Sequence, residues 1–461
     1  MLFNSHVFLF LFLPTFLLGW RLTTSRDRRL WWLIGCSLVF YGWFSPPLVA
    51  LLLASVQVDY VAGQRMAATT RANSRRAWLA FSLLFNLGAL GWFKYAAMAG
   101  ATADFWMGRS TELTEVMQSV VLPIGISFYT FQTLSYSIDV YRRRIEPAAS
   151  LAEFAAYVTF FPQLVAGPIV RFDDLRAPLQ RLDEPVSADV RLDGWGLVVL
   201  GLARKVLVAD PLGRLVDPLW ARAPQLGGVE AWLAVFGFGL QLYNDFAAYT
   251  DIARGLGQVL GVPLPVNFDS PWRATSVSDF WRRWHISLST WFRDYVYIPL
   301  GGGRRGTLQV SMNLMVTMAL CGAWHGARWT FVAWGIYHGL LLVIHRVWVR
   351  SSPVRLPEPL PWLLTLVTVM AGWVFFRSPD WVTVGHMVRA LVFRPGLAGE
   401  IPLDATTLGW ILLALLAAVV GPNSNQLVVP RRPVSVLLLL ILAWVAVLRL
   451  GSGEPFAYFQ F

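Results

Sequence analysis

The sequence predicts an all-α integral membrane protein: a polytopic bundle of transmembrane helices supplemented by re-entrant or interfacial helices. Of its 461 residues, 56% are hydrophobic and 14% are charged, whereas soluble globular domains carry about 25% charged residues. The chain also contains 23 tryptophans, a residue type enriched where transmembrane helices meet the lipid headgroups. Together these observations predict a multi-pass protein surrounded by membrane lipid.

Apolar runs long enough to cross a bilayer, which takes about 20 residues of helix, follow one another along the chain. The sequence "SPP" at 45–47 divides the longest early run into two, because proline disrupts a helix interior. The first run has no charged n-region and no small-residue cleavage site, so we interpret it as a retained transmembrane helix. We expect roughly a dozen helices, some of them short or re-entrant. The runs lie near residues 2–20, 30–62, 77–99, 118–138, 151–170, 192–218, 229–260, 308–323, 328–349, 360–376, 405–421 and 434–450.

The arginine-rich loops predict the orientation of the chain. Segments 21–29, 65–76 and 141–147 are rich in arginine and are separated by pairs of predicted spans, so all three lie on the same side. Positive charge favours the cytoplasmic side of a membrane, which places the N-terminus outside the cytoplasm. The same loops explain the net charge of +11, so the basic composition requires no nucleic-acid partner.

We interpret residues 1–461 as a single membrane domain. Within it, the block 262–306 is too polar to span the bilayer and too aromatic to be a solvated loop, which indicates helices that lie in the interface or line a cavity. The cysteines, Cys36 and Cys321, lie in apolar surroundings without metal-ligand spacing, so neither a disulfide framework nor a metal site is expected. The parts of the domain are N-terminal spans 1–140, a cytoplasmic or interfacial segment 141–191, a core 192–350 and C-terminal spans 351–461.

Among the six histidines, His325 is the strongest candidate for chemistry. It lies in the sequence "CGAWHGARW", at the junction of two apolar runs, and ionisable residues at membrane depth mark function by default. An imidazole suits proton abstraction because the free group titrates near neutrality. His338 lies too far along a helix to share a metal site with His325, and we expect it to pack between helices. His6, His345 and His386 are expected near helix ends.

The role of His285 stays open on the residues alone. It lies among hydroxyl, cationic and acidic side chains in the block 262–306. An interfacial helix whose arginines meet lipid headgroups would explain that composition without needing the histidine.

Two aspartates lie inside another apolar run. Asp245 and Asp251 are six positions apart (251 − 245 = 6) and therefore lie on different faces of a helix. A paired-carboxylate site is not expected, and each should neutralise an arginine or a helix end. The sequence has no Walker, GxSxG, HExxH or dinucleotide-binding motif. The residues thus fit either a membrane enzyme or a transporter with a proton relay.

A resemblance to a known family separates these alternatives. The sequence "DFWRRWHISLSTWFRDYVYIPLGGGRRG" (279–306) resembles a characteristic block of the membrane-bound O-acyltransferases, in the bacterial alginate O-acetyltransferase-like branch. The sequence "CGAWHGARWTFVAWGIYHG" (321–339) resembles the second hallmark of the family, whose WHG histidine is regarded as catalytic. Further resemblances are "PIGISFYTFQTLSYSIDVYRR" (123–143), "FFPQLVAGPIVR" (160–171), "GLGQVLGVPLPVNFDSPW" (255–272) and "FAYFQF" (456–461).

The resemblance implies a helical bundle around a central tunnel in a bacterial inner membrane, with the N-terminus in the periplasm. It implies an acyltransferase whose donor, acetyl-CoA, approaches from the cytoplasm as a substrate rather than a bound cofactor. The acceptor lies on the other side: an exopolysaccharide such as alginate, reached through a periplasmic partner of the SGNH-hydrolase type. It makes His325 the catalytic histidine and His285 a second active-site histidine. Residues expected to line the substrate tunnel are Trp284, Ser287, Trp324 and Asp245.

The expected mechanism uses His325 as the general base on the acceptor hydroxyl, with His285 shaping the tunnel or stabilising the tetrahedral oxyanion. The stretch "NDFAAYTD" departs from the family pattern at Asn244, Ala247 and Ala248, which leaves the acceptor open. Alternatives are cellulose or peptidoglycan O-acetylation, D-alanyl transfer to teichoic acid, a proton-coupled transporter, and a scaffold for a periplasmic acetylase.

Overall fold

The fold of this chain is helical throughout the part that its computed structural model describes. The described residues are 1–108, 111–304, 306–352, 354, 356–393, 405–426, 429, 432–451 and 455–457. Within them every regular element is a helix, which confirms the predicted fold class. Of the terminal "FAYFQF" resemblance, positions 458–461 lie outside the described residues.

Twenty-one α-helices follow one another in the described part of the chain. The first ten are α1 (Leu13–Leu22), α2 (Arg26–Gly42), α3 (Pro46–Ala68), α4 (Ala72–Leu90), α5 (Ala96–Met107), α6 (Glu112–Gln118), α7 (Ile126–Tyr141), α8 (Leu151–Thr159), α9 (Phe161–Leu164) and α10 (Phe172–Gln180). The next six are α11 (Ala188–Ala203), α12 (Asp210–Ala221), α13 (Gly228–Leu260), α14 (Val277–Arg283), α15 (Ile286–Phe292) and α16 (Thr307–His325). The last five are α17 (Trp329–Ser351), α18 (Leu360–Arg377), α19 (Trp381–Phe393), α20 (Ala405–Val420) and α21 (Pro433–Leu448).

Fewer helices than expected are both long and apolar enough to cross a membrane. By length and composition, four segments of the described chain qualify: Pro46–Ala68, Ala72–Met107, Trp329–Ser351 and Leu360–Arg377. Other predicted runs form shorter apolar helices, at Phe8–Leu22, Trp381–Phe393, Leu408–Val420 and Pro433–Leu448. The break at "SPP" is confirmed, since α3 begins at a proline, where the missing N–H leaves no intrahelical bond unmade.

The segment 141–191 forms the expected helices, α8 to α10. These helices are packed into the protein, since Phe154, Tyr157 and Phe161 are fully buried. Burial of such large side chains contributes about 1.5–3 kcal/mol each, so this segment is part of the core.

The block 262–306 contains only short helices, as its composition predicts. α14 and α15 have seven residues each, too few to span a bilayer. The block is anchored on α7 by Trp291, whose indole stacks on Phe131 at 3.7 Å between centroids and donates to the Phe131 carbonyl at 3.0 Å. Trp281 and Trp284 are buried as well, so the aromatic residues face the protein interior.

Glycines bring α16 and α17 into close contact. A Cβ at Gly322 would lie 2.2 Å from the carbonyl oxygen of Phe331, and a Cβ at Gly335 would lie 2.1 Å from that of Met318. Neither distance is sterically allowed, so only glycine permits this approach of the two backbones. The contact places His325, the last residue of α16, against the first turns of α17.

Candidate functional site

His325 is held at the C-terminal end of α16. The last carbonyls of a helix have no partner within the helix, and here two side chains from a π-helical turn at Gly91–Tyr95 supply donors. The Lys94 ammonium donates to the carbonyl of Trp324, and the Tyr95 hydroxyl donates to that of Ala323 at 2.8 Å. Lys94 also donates to Ser127 Oγ at 2.9 Å. These bonds fix the backbone immediately before His325.

His285 occupies the turn between α14 and α15. Its backbone has a φ of 44°, in the left-handed region that residues other than glycine seldom adopt. The side chain is fully buried, and its Nδ1 lies 3.2 Å from Oδ1 of Asn267. Backbone outliers of this kind cluster at functional sites because the surrounding structure must hold them.

The structure brings these two histidines together although they are far apart in sequence. Their ring centroids are 6.2 Å apart, and Trp324 lies beside both, at 5.9 Å from His285 and 5.1 Å from His325. Both rings line a narrow closed pocket that has no room for a water molecule in this structure. It is lined by Leu242, Phe246, Trp284, His285, His325, Trp334, Trp373 and Phe376.

A second cavity, of about 170 Å³, reaches His325 from another direction. Its wall includes Lys94, Trp324 and residues 122–128. His325 lines both spaces. It is therefore a lining residue that the two spaces share.

The pocket walls offer few hydrogen-bonding groups besides the two imidazoles. The indole nitrogen of Trp334 is buried and has no hydrogen-bond partner among the described residues. Its ring lies 5.0 Å from that of His325. A buried N–H without an acceptor costs free energy, so a group that accepts this hydrogen would be bound favourably.

Two predicted tunnel residues lie outside the pocket lining. Ser287 Oγ donates to Asn267 Oδ1 at 2.9 Å and accepts from the Ile169 N–H at 2.9 Å, so it supports the block. The Asp245 carboxylate pairs with Lys205 at 2.8 Å. Both residues therefore contact other parts of the protein rather than the pocket. Trp284 lines the closed pocket and Trp324 lines the second cavity.

The remaining charged and imidazole groups are placed largely as the sequence suggests. Asp251 pairs with Arg204 at 2.9 Å, which confirms the expected arginine partner. His338 is fully buried and packs on Trp281 and Trp334, at 5.2 and 4.9 Å between centroids. Its packing role between helices therefore agrees with the structure.

Three residues of the site were missed by reasoning from the sequence. Lys94 carried a usable signal, since it is one of two lysines in the chain and lies inside an apolar run, where a charge marks function by default. Asn267 lies in the quoted "PVNFDSPW", but nothing in that sequence indicates contact with His285. Trp334 is one of 23 tryptophans and had no distinguishing feature.

Comparison with known proteins finds relatives that match most of this chain. The sequence profile of the membrane-bound O-acyltransferase family matches residues 70–376, a stretch that contains Lys94, His285 and His325. The chain is 41% identical to a probable alginate O-acetylase of Pseudomonas aeruginosa, over 85% of this chain and 75% of the relative. It is 32% identical to the peptidoglycan O-acetyltransferase of Helicobacter pylori, over 86% and 81% of the two chains. A teichoic acid D-alanyltransferase of Streptococcus thermophilus is 32% identical over 51% of this chain and 59% of its own length.

Proposed function

Because this chain belongs to the membrane-bound O-acyltransferase family, we propose that it moves an acetyl group across a bacterial inner membrane for the O-acetylation of an extracytoplasmic polysaccharide such as alginate. The donor is a cytoplasmic thioester, acetyl-CoA, and the N-terminus lies in the periplasm. One observation carries the proposal: His325 lines both the closed pocket, with His285, and the cavity beside residues 122–128. The imidazole of His325 thus belongs to the lining of both spaces.

His325 acts as the general base in this mechanism. Its imidazole takes the proton of the acceptor hydroxyl while the hydroxyl oxygen attacks the thioester carbonyl carbon. The tetrahedral intermediate then collapses, the C–S bond breaks, and the imidazolium returns the proton to the departing thiolate. A positioned base contributes about 10²–10⁴ in rate. The charge that develops on the carbonyl oxygen requires N–H donors, and we assign the indole of Trp334 to this role.

Alginate is favoured over peptidoglycan as the acceptor because identity to the alginate relative is higher, 41% against 32%, at similar coverage of this chain. In the stretch with departures at Asn244, Ala247 and Ala248, Phe246 lines the closed pocket. Asn244 instead contacts Arg204 at 3.4 Å. A periplasmic SGNH-hydrolase-like partner would pass the acetyl group from this chain to the polymer.

The test is acetyl transfer from radiolabelled acetyl-CoA in membranes that contain the chain and its native periplasmic partners. His325→Ala should lower transfer about 100-fold or more, since the base is lost. His386→Ala is the matched control, because His386 lies on α19 and lines neither cavity. Alginate and peptidoglycan are supplied in separate reactions to identify the acceptor.

Each outcome decides a different part of the proposal. Label in alginate that depends on His325 supports it in full, and label in peptidoglycan alone changes the acceptor. Equal transfer by wild type and His325→Ala would refute the assignment of the base. Activity that persists in detergent, where no proton gradient exists, separates acyl transfer from a proton-coupled transporter.

A further inference from the structure

The backbone around His285 is paired with the extended segment that contains Asn267. The Ile286 N–H donates to the carbonyl of Asn267 at 2.9 Å, and the Asp269 N–H donates to the carbonyl of Arg283 at 2.9 Å. These two bonds hold residues 267–269 against the turn between α14 and α15. The side chain of Asn267 is therefore fixed beside the His285 ring, and both residues are fully buried.

The side-chain oxygen of Asn267 lies at the centre of this arrangement. It accepts from the backbone N–H of Ser287 at 3.1 Å and from Ser287 Oγ at 2.9 Å. A backbone N–H can only donate, so the atom that it contacts must be the amide oxygen rather than the amide nitrogen. The same oxygen lies 3.2 Å from Nδ1 of His285. Because an amide oxygen only accepts, the hydrogen of that bond must be on Nδ1.

We propose that Asn267 is a positioning residue that fixes His285 in the tautomer with its hydrogen on Nδ1, so that the ring offers the lone pair of Nε2 to the closed pocket. The partner of one ring nitrogen sets the state of the other. His285 lines the pocket and Asn267 does not, so the Nδ1 edge faces the Asn267 amide and the rest of the ring faces the substrates.

This tautomer determines what His285 can do in the proposed acetyl transfer, on which the inference rests. A neutral ring held in this way accepts a hydrogen in the pocket and has none to donate to an oxyanion. The hydrogen of the attacking hydroxyl goes to His325, so the group that His285 binds is a different hydrogen-bond donor of a substrate. Oxyanion stabilisation then falls to N–H donors such as Trp334, rather than to His285.

The first variant is Asn267→Leu, which has a similar size and no acceptor. We expect kcat for acetyl transfer to fall about 10- to 100-fold, by analogy with the loss of a supporting hydrogen bond to a metal-ligating histidine. Protein level and the melting temperature in detergent are measured alongside. Wild-type kcat in a folded Asn267→Leu protein would overturn the inference.

The second variant, Asn267→Asp, keeps the acceptor and adds a negative charge beside His285. The residues that line the pocket opposite it are aromatic or aliphatic apart from His325 on α16, so the new charge acts chiefly on His285. Because a carboxylate stabilises the imidazolium, the acidic limb of the rate–pH profile should move to higher pH by about one unit. An acidic limb that stays in place would show that the rate does not depend on a neutral His285 beside residue 267, which would also overturn the inference.

The design separates failure of this inference from failure of the proposed function. An inactive wild-type chain, with partners present, contradicts the proposed function itself. An active wild type with unchanged profiles in the Asn267 variants contradicts only the role of Asn267. If Asn267→Leu does not fold, the rate–pH profile of Asn267→Asp still tests the role of Asn267.

Discussion

The two histidines of the closed pocket are held in contrasting ways. His325 ends a regular helix of 19 residues, whose position is set by glycine contacts with α17 and by hydrogen bonds from Lys94 and Tyr95 to its last carbonyls. His285 lies at a left-handed turn between two short helices, where the side chain of Asn267 orients its ring.

The two histidines are thus positioned by two different kinds of interaction, helix packing and a local hydrogen bond. A helix is positioned by packing along its length, and close-packed interiors transmit strain widely. A side-chain hydrogen bond is local, so its loss alters one ring while the surrounding fold persists. We therefore expect substitutions between α16 and α17 to act on the folded state, and substitutions around His285 to act on the rate.

The largest effect is expected at Gly335. A methyl group there would meet the Met318 carbonyl oxygen at 2.1 Å, so Gly335→Ala must push α16 and α17 apart. Overpacking typically costs about 1–3 kcal/mol and occasionally more. We expect a lower yield of folded protein, a lower melting temperature in detergent and loss of acetyl transfer.

The control for this substitution is Gly385→Ala on α19, where a Cβ meets nothing within 4 Å. Alanine is favoured over glycine in a helix, so this variant should melt at or above the wild-type temperature. A Gly335→Ala protein that melts with the wild type would show that the helix contact does not set the position of His325.

An intermediate effect is expected at Lys94. Lys94→Met keeps the length of the side chain and removes its bonds to the Trp324 carbonyl and Ser127 Oγ. The end of α16 loses its donor, so we expect kcat to fall about 10- to 100-fold, by analogy with other supporting hydrogen bonds. The measurement is kcat and KM for acetyl-CoA in detergent.

Lys205 is the matched comparison, because it is the other lysine of the chain. It pairs with Asp210 at 2.7 Å and Asp245 at 2.8 Å, and it lines neither cavity. Removing one partner of a buried ion pair costs about 3–5 kcal/mol. Lys205→Met should therefore lower the melting temperature more than Lys94→Met does. If both lysine variants lost only stability, Lys94 would have no special link to His325.

Much of the fold follows from local sequence signals. The apolar runs predicted an all-helical membrane protein, and the prolines at 46–47 marked where α3 begins. The polarity of 262–306 predicted that this block does not span the bilayer. The glycine at 322, next to these runs, permits the close backbone contact between α16 and α17. These features depend on residues near one another in the chain, where periodicity and steric rules apply directly.

The rest depends on contacts between distant residues. Lys94 binds the carbonyl of a residue 230 positions away, and no local pattern identifies that partner. Asp245 pairs with Lys205, 40 positions away, and its predicted place in the tunnel stays a prediction. Several apolar runs form short helices, since an apolar run has the same composition in a short buried helix as in a transmembrane one.

The smallest effect is expected for Ser287→Ala. This change removes one hydrogen bond to Asn267 Oδ1 and the acceptor of the Ile169 N–H. It leaves the Ser287 backbone bond and the His285 bond to the same oxygen in place. A net loss of about 1 kcal/mol in stability and a change of kcat within about threefold are expected. The measurement compares melting temperature and kcat with those of Asn267→Leu. A fall in kcat as large as that of Asn267→Leu would mean that the whole hydrogen-bonded cluster orients His285, rather than the Asn267 oxygen alone. The positioning of His285 would then depend on packing more widely, as that of His325 does.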